Sequence, residues 1–128
     1  MNVTKVDILI GELIRSFQAL ELLLFGVKNQ GLEKSDCLLE LSNFIDFTLG
    51  KKINNLKKDD IFDDDFITVL TYIKDKRNLI VHNLCDEYDF AKSEDIEKAE
   101  KYLEETKSDV ETIKDVLVAF LKCENCKQ

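Results

Sequence analysis

Groups able to move a proton near neutrality are scarce in this chain, and their scarcity directs attention. There is one histidine, His82, in the segment Lys76-Arg77-Asn78-Leu79-Ile80-Val81-His82-Asn83-Leu84. Only two arginines occur, Arg15 and Arg77, although lysines are abundant. Arginine is favoured where a planar fork must grip a carboxylate or phosphate. Histidine is the side chain whose unperturbed pKa suits general acid–base work at neutral pH. On an ideal helix Asn78 and His82 share a face, whereas Arg77 and His82 diverge by about 140°. Convergence on one phosphate therefore requires a bend, a helix end near His82, or a second copy of the motif. A plainer role competes: a histidine near a helix C-terminus caps carbonyls while Arg77 pairs with Asp75 or Asp86.

The cysteines offer a different chemistry. Cys123-Glu124-Asn125-Cys126 is a C-x-x-C, and His82-Asn83-Leu84-Cys85 is an H-x-x-C. Together they define an alternative, a tetrahedral Cys3His zinc site of His82, Cys85, Cys123 and Cys126 that would make His82 structural. The preferred reading needs no metal or other cofactor. Cys37 sits among apolar neighbours and reads as core. The four glycines form no phosphate-binding loop, and nothing resembles a serine or cysteine triad, since His82 is the only histidine to serve one.

Lys51, Lys52, Lys57 and Lys58, with Asn54 and Asn55 between them, form a basic connector that is the best candidate patch for binding substrate. The favoured reading of that stretch is a solvated loop that neutralises the acidic run after it. With 18 basic against 26 acidic side chains, a net charge of −8 disfavours nucleic-acid binding by bulk charge. Any RNA must be held by a local patch, and no DNA partner is expected.

These residues need elements to position them. The 128 residues fit a single domain, 1–128, and the lack of proline with 34% charged residues points to an all-α fold. The first helix is predicted from Thr4 as N-cap, with Asp7 as its capping-box partner, to Lys28, with Gly31 as its stop. It carries Val6, Leu9, Ile10, Leu13, Phe17, Leu20 and Leu24 on one stripe. Leu22, Leu23, Phe25 and Val27 widen that stripe. A second helix is expected from Ser35 to Leu49, stopped by Gly50. An acidic run at Asp59, Asp60, Asp63, Asp64 and Asp65 then favours the start of a third helix, which carries Phe66, Val69, Leu70, Ile73, Ile80 and Val81. The last begins at Ser93 and repeats Ile96, Ala99, Leu103, Thr106, Val110, Ile113, Leu117 and Phe120 at steps of three and four. The expected architecture is an up-down four-helix bundle with an extra short turn near Asp86 to Ala91. The apolar part of the first helix is interrupted by charges, so no membrane span or export signal is read, and a cytoplasmic protein with reduced thiols is expected.

Arg77-Asn78-x-x-x-His82, late in the third helix of a small all-α domain, resembles the R-x(4–6)-H signature of the HEPN superfamily. The long first helix with an internal glutamate, Glu12 or Glu21, and the long acidic last helix are similar to that family in helix order. The resemblance implies a homodimer with two motifs facing each other across a two-fold axis. It further implies a metal-independent endoribonuclease, a hydrolase of toxin–antitoxin or antiviral (phage-defence) systems, with a cognate antitoxin as partner. Arg77 would stabilise charge on phosphorus, His82 would transfer protons, and Asn78 would orient substrate or histidine. In relatives controlled by a nucleotidyltransferase-like partner a tyrosine stands two places after the histidine. Here that place holds Leu84, with Tyr88 the nearest tyrosine downstream, which puts that form of control in doubt. The alternative reading is a non-catalytic helical module of the same fold that binds RNA or protein.

Overall fold

A computed structural model describes residues 3–28, 49–58 and 62–126. Among them the chain is helical and contains no strand: α1 (Val3–Lys28), α2 (Leu49–Lys58), α3 (Asp64–Asn78), a π-helical segment (Leu79–Asn83), α4 (Leu84–Glu87) and α5 (Ser93–Cys126). The expected helix from Ser35, its neighbour Cys37, and the stop at Gly31 lie outside the described residues.

The helices form where one stripe can be buried. On α5 the predicted seam is buried from Ile96 to Leu117, with Ala99, Leu103, Val110 and Leu117 fully so, and its last member, Phe120, is half-buried. On α1, Val6, Leu9, Leu13, Phe17, Leu20 and Leu24 are buried against it, and Phe25 and Val27 join them. This α1–α5 contact is the most extensive among the described elements. Truncating a side chain such as Leu20 or Leu103 to alanine there removes about 2–5 kcal/mol. The acidic run does start α3: Asp63 caps it, accepting from the Phe66 amide at 2.8 Å, with Asp64 and Asp65 in the first turn.

Helix directions correct the simple alternation. Lys5 pairs with Glu100 and Glu104, Glu12 with Lys107, and Ser16 with Glu111, while Gly26 lies beside Leu121. Partners rise together along both helices, so α1 and α5 run parallel, where four alternating helices would set them antiparallel. α3 runs antiparallel to α5: Phe62 meets Phe120 and Lys76 meets Asp109. The physical reason is two net reversals of the chain, one between α1 and α3 and one between α3 and α5.

Two boundaries also differ. The basic connector is helical: Leu49, Ile53 and Leu56, spaced four and three apart, bury one face of α2. Gly50 therefore stands inside a helix rather than ending one. Thr4 lies within α1 and not at its cap. No helix among the described residues is long and apolar enough to cross a membrane.

Candidate active site

Arg77 is set by the end of α3. One residue before it, the Lys76 ammonium lies 4.5 Å from the centre of the Tyr72 ring and 5.3 Å from that of Tyr102, and pairs with Asp109 at 3.5 Å. These contacts tie the last turn of α3 to α5. Burial works against the Lys76 charge, but the hydrogen bond and charge interaction with Tyr72 outweigh it and raise its pKa. The Arg77 guanidinium is half-buried and donates from Nη1 to Asn78 Oδ1 at 3.4 Å. No ion pair joins Arg77 to a carboxylate among the described residues, so the expected pairing with Asp75 or Asp86 does not form. Asp75 pairs with Lys74 at 3.1 Å instead.

Between Arg77 and His82 the helix changes type. The amide of Leu79 is shared between the carbonyls of Asp75 and Lys76, and residues Leu79–Asn83 then form a π-helical turn. A turn closed by i→i+5 bonds winds less per residue than an α-helix, so positions five apart come nearer to one face. The divergence of about 140° expected for an ideal helix is thereby reduced. Ile80 and Leu84, both buried, anchor the turn to the core.

Both side chains line clefts against α1. Arg77 lines a small cleft of about 50 Å³ with Ile14, Gln18 and Glu21. His82 lines a larger one of about 260 Å³ with Asp7, Cys85 and Phe90. Val81 borders both clefts and stands between them. His82 and Asn78 are exposed. Asn78 accepts from Arg77, and His82 has no charged partner among the described residues.

The two candidate glutamates separate by position. Glu21 lies at the Arg77 cleft and pairs with Lys52 at 3.6 Å, whose side chain is only 6% exposed. Glu12 faces α5, where it pairs with Lys107 beside Ser16, Glu111 and Lys114. In that cluster the Ser16 hydroxyl donates to Glu111 at 2.7 Å and Lys114 lies 3.1 Å from the same carboxylate oxygen. These interactions, the serine's first, hold the Glu111 carboxyl below its ordinary pKa. Lys52 is thus a structural residue and does not belong to a solvated loop. Lys51, Lys57 and Lys58 are exposed on α2.

The topology keeps apart the helix positions that carry the residues of the alternative zinc site. His82 lies by Asp7, while the end of α5 that carries Cys123 and Cys126 follows Leu121, which sits at Gly26. Nineteen residues of α1 separate those points, about 28 Å at helical rise. Among the described residues no group of three histidines, cysteines or acids is arranged to hold a metal.

Sequence reasoning passed over two members of the His82 cleft. Asp7 reads as a cap from its distance to Thr4, and Phe90 falls outside any periodic stripe. Phe90 is held by a turn in which Asp89 Oδ1 accepts from the Ala91 amide at 2.9 Å, and the Asp89 amide donates to Asp95 at 2.7 Å. Its one signal in the sequence is the Asp89-Phe90-Ala91 turn that carries it. No protein-family model, curated protein or solved structure matches the chain.

Proposed function

We propose that this protein is a metal-independent endoribonuclease of the HEPN type, acting as a homodimer with a composite site of Arg77, Asn78 and His82. The observation that carries this reading is the π-helical turn between Arg77 and His82, the one break in α-geometry within the described helices. Such turns cost regular hydrogen bonding and are frequent at functional sites. Arg77 donates to an amide and pairs with no acid among the described residues, which leaves its charge for phosphate.

In this mechanism one His82 takes the proton of a ribose 2′-hydroxyl. The oxygen attacks the adjacent phosphorus, the bond to the 5′-oxygen breaks, and a second His82 protonates that leaving oxygen. Arg77, oriented by Asn78, stabilises the charge that develops on phosphorus. Each chain has one histidine, so acid and base come from two copies. Exposed apolar side chains on α1, Ile8 at 56% and Leu22 at 59%, support a second copy there. Toxin or defence biology, with a cognate antitoxin as partner, goes with this reading.

The test is cleavage of end-labelled tRNA and mRNA in EDTA by wild type and His82→Ala, matched for helicity. Wild type is expected to leave 2′,3′-cyclic phosphate ends and the variant to leave RNA intact. Equal cutting by both, or loss of cutting in EDTA, overturns the reading.

A further inference from the structure

The cleft beside His82 is larger than proton transfer requires. Its volume is about 260 Å³, and its walls are chiefly apolar, with Val3 and Ile10 from α1 and Phe90 from the loop before α5. Two polar groups face it from opposite elements: Asp7 from α1 and His82 from the π turn. The exposed Cys85 lies at its edge. Asp7 has no hydrogen-bond or ion-pair partner among the described residues. An acceptor-only group set among apolar side chains is suited to a flat, apolar ligand that brings donors of its own.

A nucleobase splayed from single-stranded RNA is such a ligand. Unstacked bases are held by stacking on aromatic side chains and by hydrogen bonds to their edges. Among the four bases, guanine alone presents two adjacent donors, N1–H and the N2 amino group, on its Watson–Crick edge. Two adjacent donors match the two oxygens of one carboxylate. Adenine, cytosine and uracil each place an acceptor beside their donor and so set a lone pair against Asp7.

We propose that this cleft is a guanine subsite: Phe90 and the α1 side chains hold the ring, and Asp7 accepts from N1–H and N2–H. The base enters next to His82, which places the guanosine phosphate beside the imidazole. The proposal rests on Arg77 and His82 forming the cleavage site, and it gives that site a base preference. The Phe90 wall is preformed, since Asp89 and Asp95 fix the turn that carries it.

The test follows the His82 imidazole, a single reporter in a chain with one histidine. Proton and nitrogen shifts of its ring are recorded while guanosine 3′-monophosphate is added to the full chain. Adenosine, cytidine, uridine and inosine 3′-monophosphates and inorganic phosphate serve as comparisons. Saturable binding of the guanosine nucleotide is expected, about tenfold or more tighter than the adenosine, cytidine and uridine forms, as a bidentate base contact gives. Inosine, lacking the N2 amino group, falls between. Asp7→Asn, on an exposed helical position, is expected to abolish the preference without loss of helicity, and Phe90→Ala to weaken guanosine binding.

Equal affinity for all four nucleotides, or for inorganic phosphate alone, overturns the guanine subsite even if the protein cuts RNA. Guanosine selectivity that depends on Asp7 in a protein that leaves RNA intact supports the subsite while removing the nuclease reading. Selectivity that persists in Asp7→Asn overturns the assignment to Asp7.

Discussion

At the residue scale the site combines charges of different standing. Arg77 is held by a neutral amide at 3.4 Å, so its positive charge is retained for a ligand. Replacing it with lysine keeps the charge and removes the fork. Arg77→Lys is therefore expected to lower single-turnover cleavage roughly 10²-fold, the scale seen when one aligned donor to a developing oxyanion is lost. RNA affinity in the same titration should change little. Glu111 gives a residue-scale check far from the site. Its carboxyl is held below the ordinary value first by the Ser16 hydroxyl, then by Lys114. A folded-state pKa below the unfolded one contributes stability above the unfolded value, which is lost as pH falls through the folded one. Ser16→Ala is expected to move the Glu111 titration upward, read by carboxyl carbon NMR, and so to narrow that pH window. An unmoved Glu111 titration would show that the hydrogen bond to Ser16 is not formed in solution.

At the element scale α2 shows how a basic segment divides its labour. Lys52 is buried and pairs with Glu21, the acid at the Arg77 cleft, while Lys57 and Lys58 are exposed. Breaking a buried pair by removing one partner costs about 3–5 kcal/mol, because the remaining charge stays behind. Lys52→Ala is thus expected to lower unfolding free energy on that scale. Lys57→Ala and Lys58→Ala should stay within about 0.5 kcal/mol of wild type. If they contact RNA, the double variant lowers the salt slope of binding by about 0.7 per phosphate lost. Chemical denaturation and a salt titration separate the two effects. The same element shows what sequence could reveal. The α5 seam was legible because one face is buried along its length, from Ile96 to Leu117, at an unbroken helical period. α2 was not, since Gly50 and four lysines mask the spacing of Leu49, Ile53 and Leu56. A glycine inside a helix costs only about 1 kcal/mol, which burial of three large side chains overrides. The candidate site was half legible. Residue rarity marked Arg77 and His82, but the π turn that relates them leaves no mark in residue type. Asp7 and Phe90 meet His82 only through tertiary packing.

At the scale of the whole molecule the question is why a domain with a packed core leaves α1 partly uncovered. Ile8, Ile14 and Leu22 are exposed on α1, Val81 is exposed on the π turn, and nothing in the fold lies within 4 Å of a Cβ built at Gly11. Ile14 and Val81 also line the Arg77 cleft, so the uncovered face and the proposed chemistry share a border. In the proposed dimer a second copy seated on that face would bury the apolar groups and bring a second histidine to the phosphate, which a lone protomer lacks. Charge at that face should therefore separate assembly from folding. Ile8→Glu and Leu22→Glu place carboxylates on surface positions of a helix whose buried face is untouched. Each is expected to retain wild-type helicity and to sediment as a monomer. Cleavage per chain should fall in step with the dimer fraction. For wild type, dilution through the dimer dissociation constant should lower the rate per chain in the same proportion. A monomeric Leu22→Glu that cuts RNA at the wild-type rate would show that one chain carries the whole site, and the composite arrangement would then have to be abandoned.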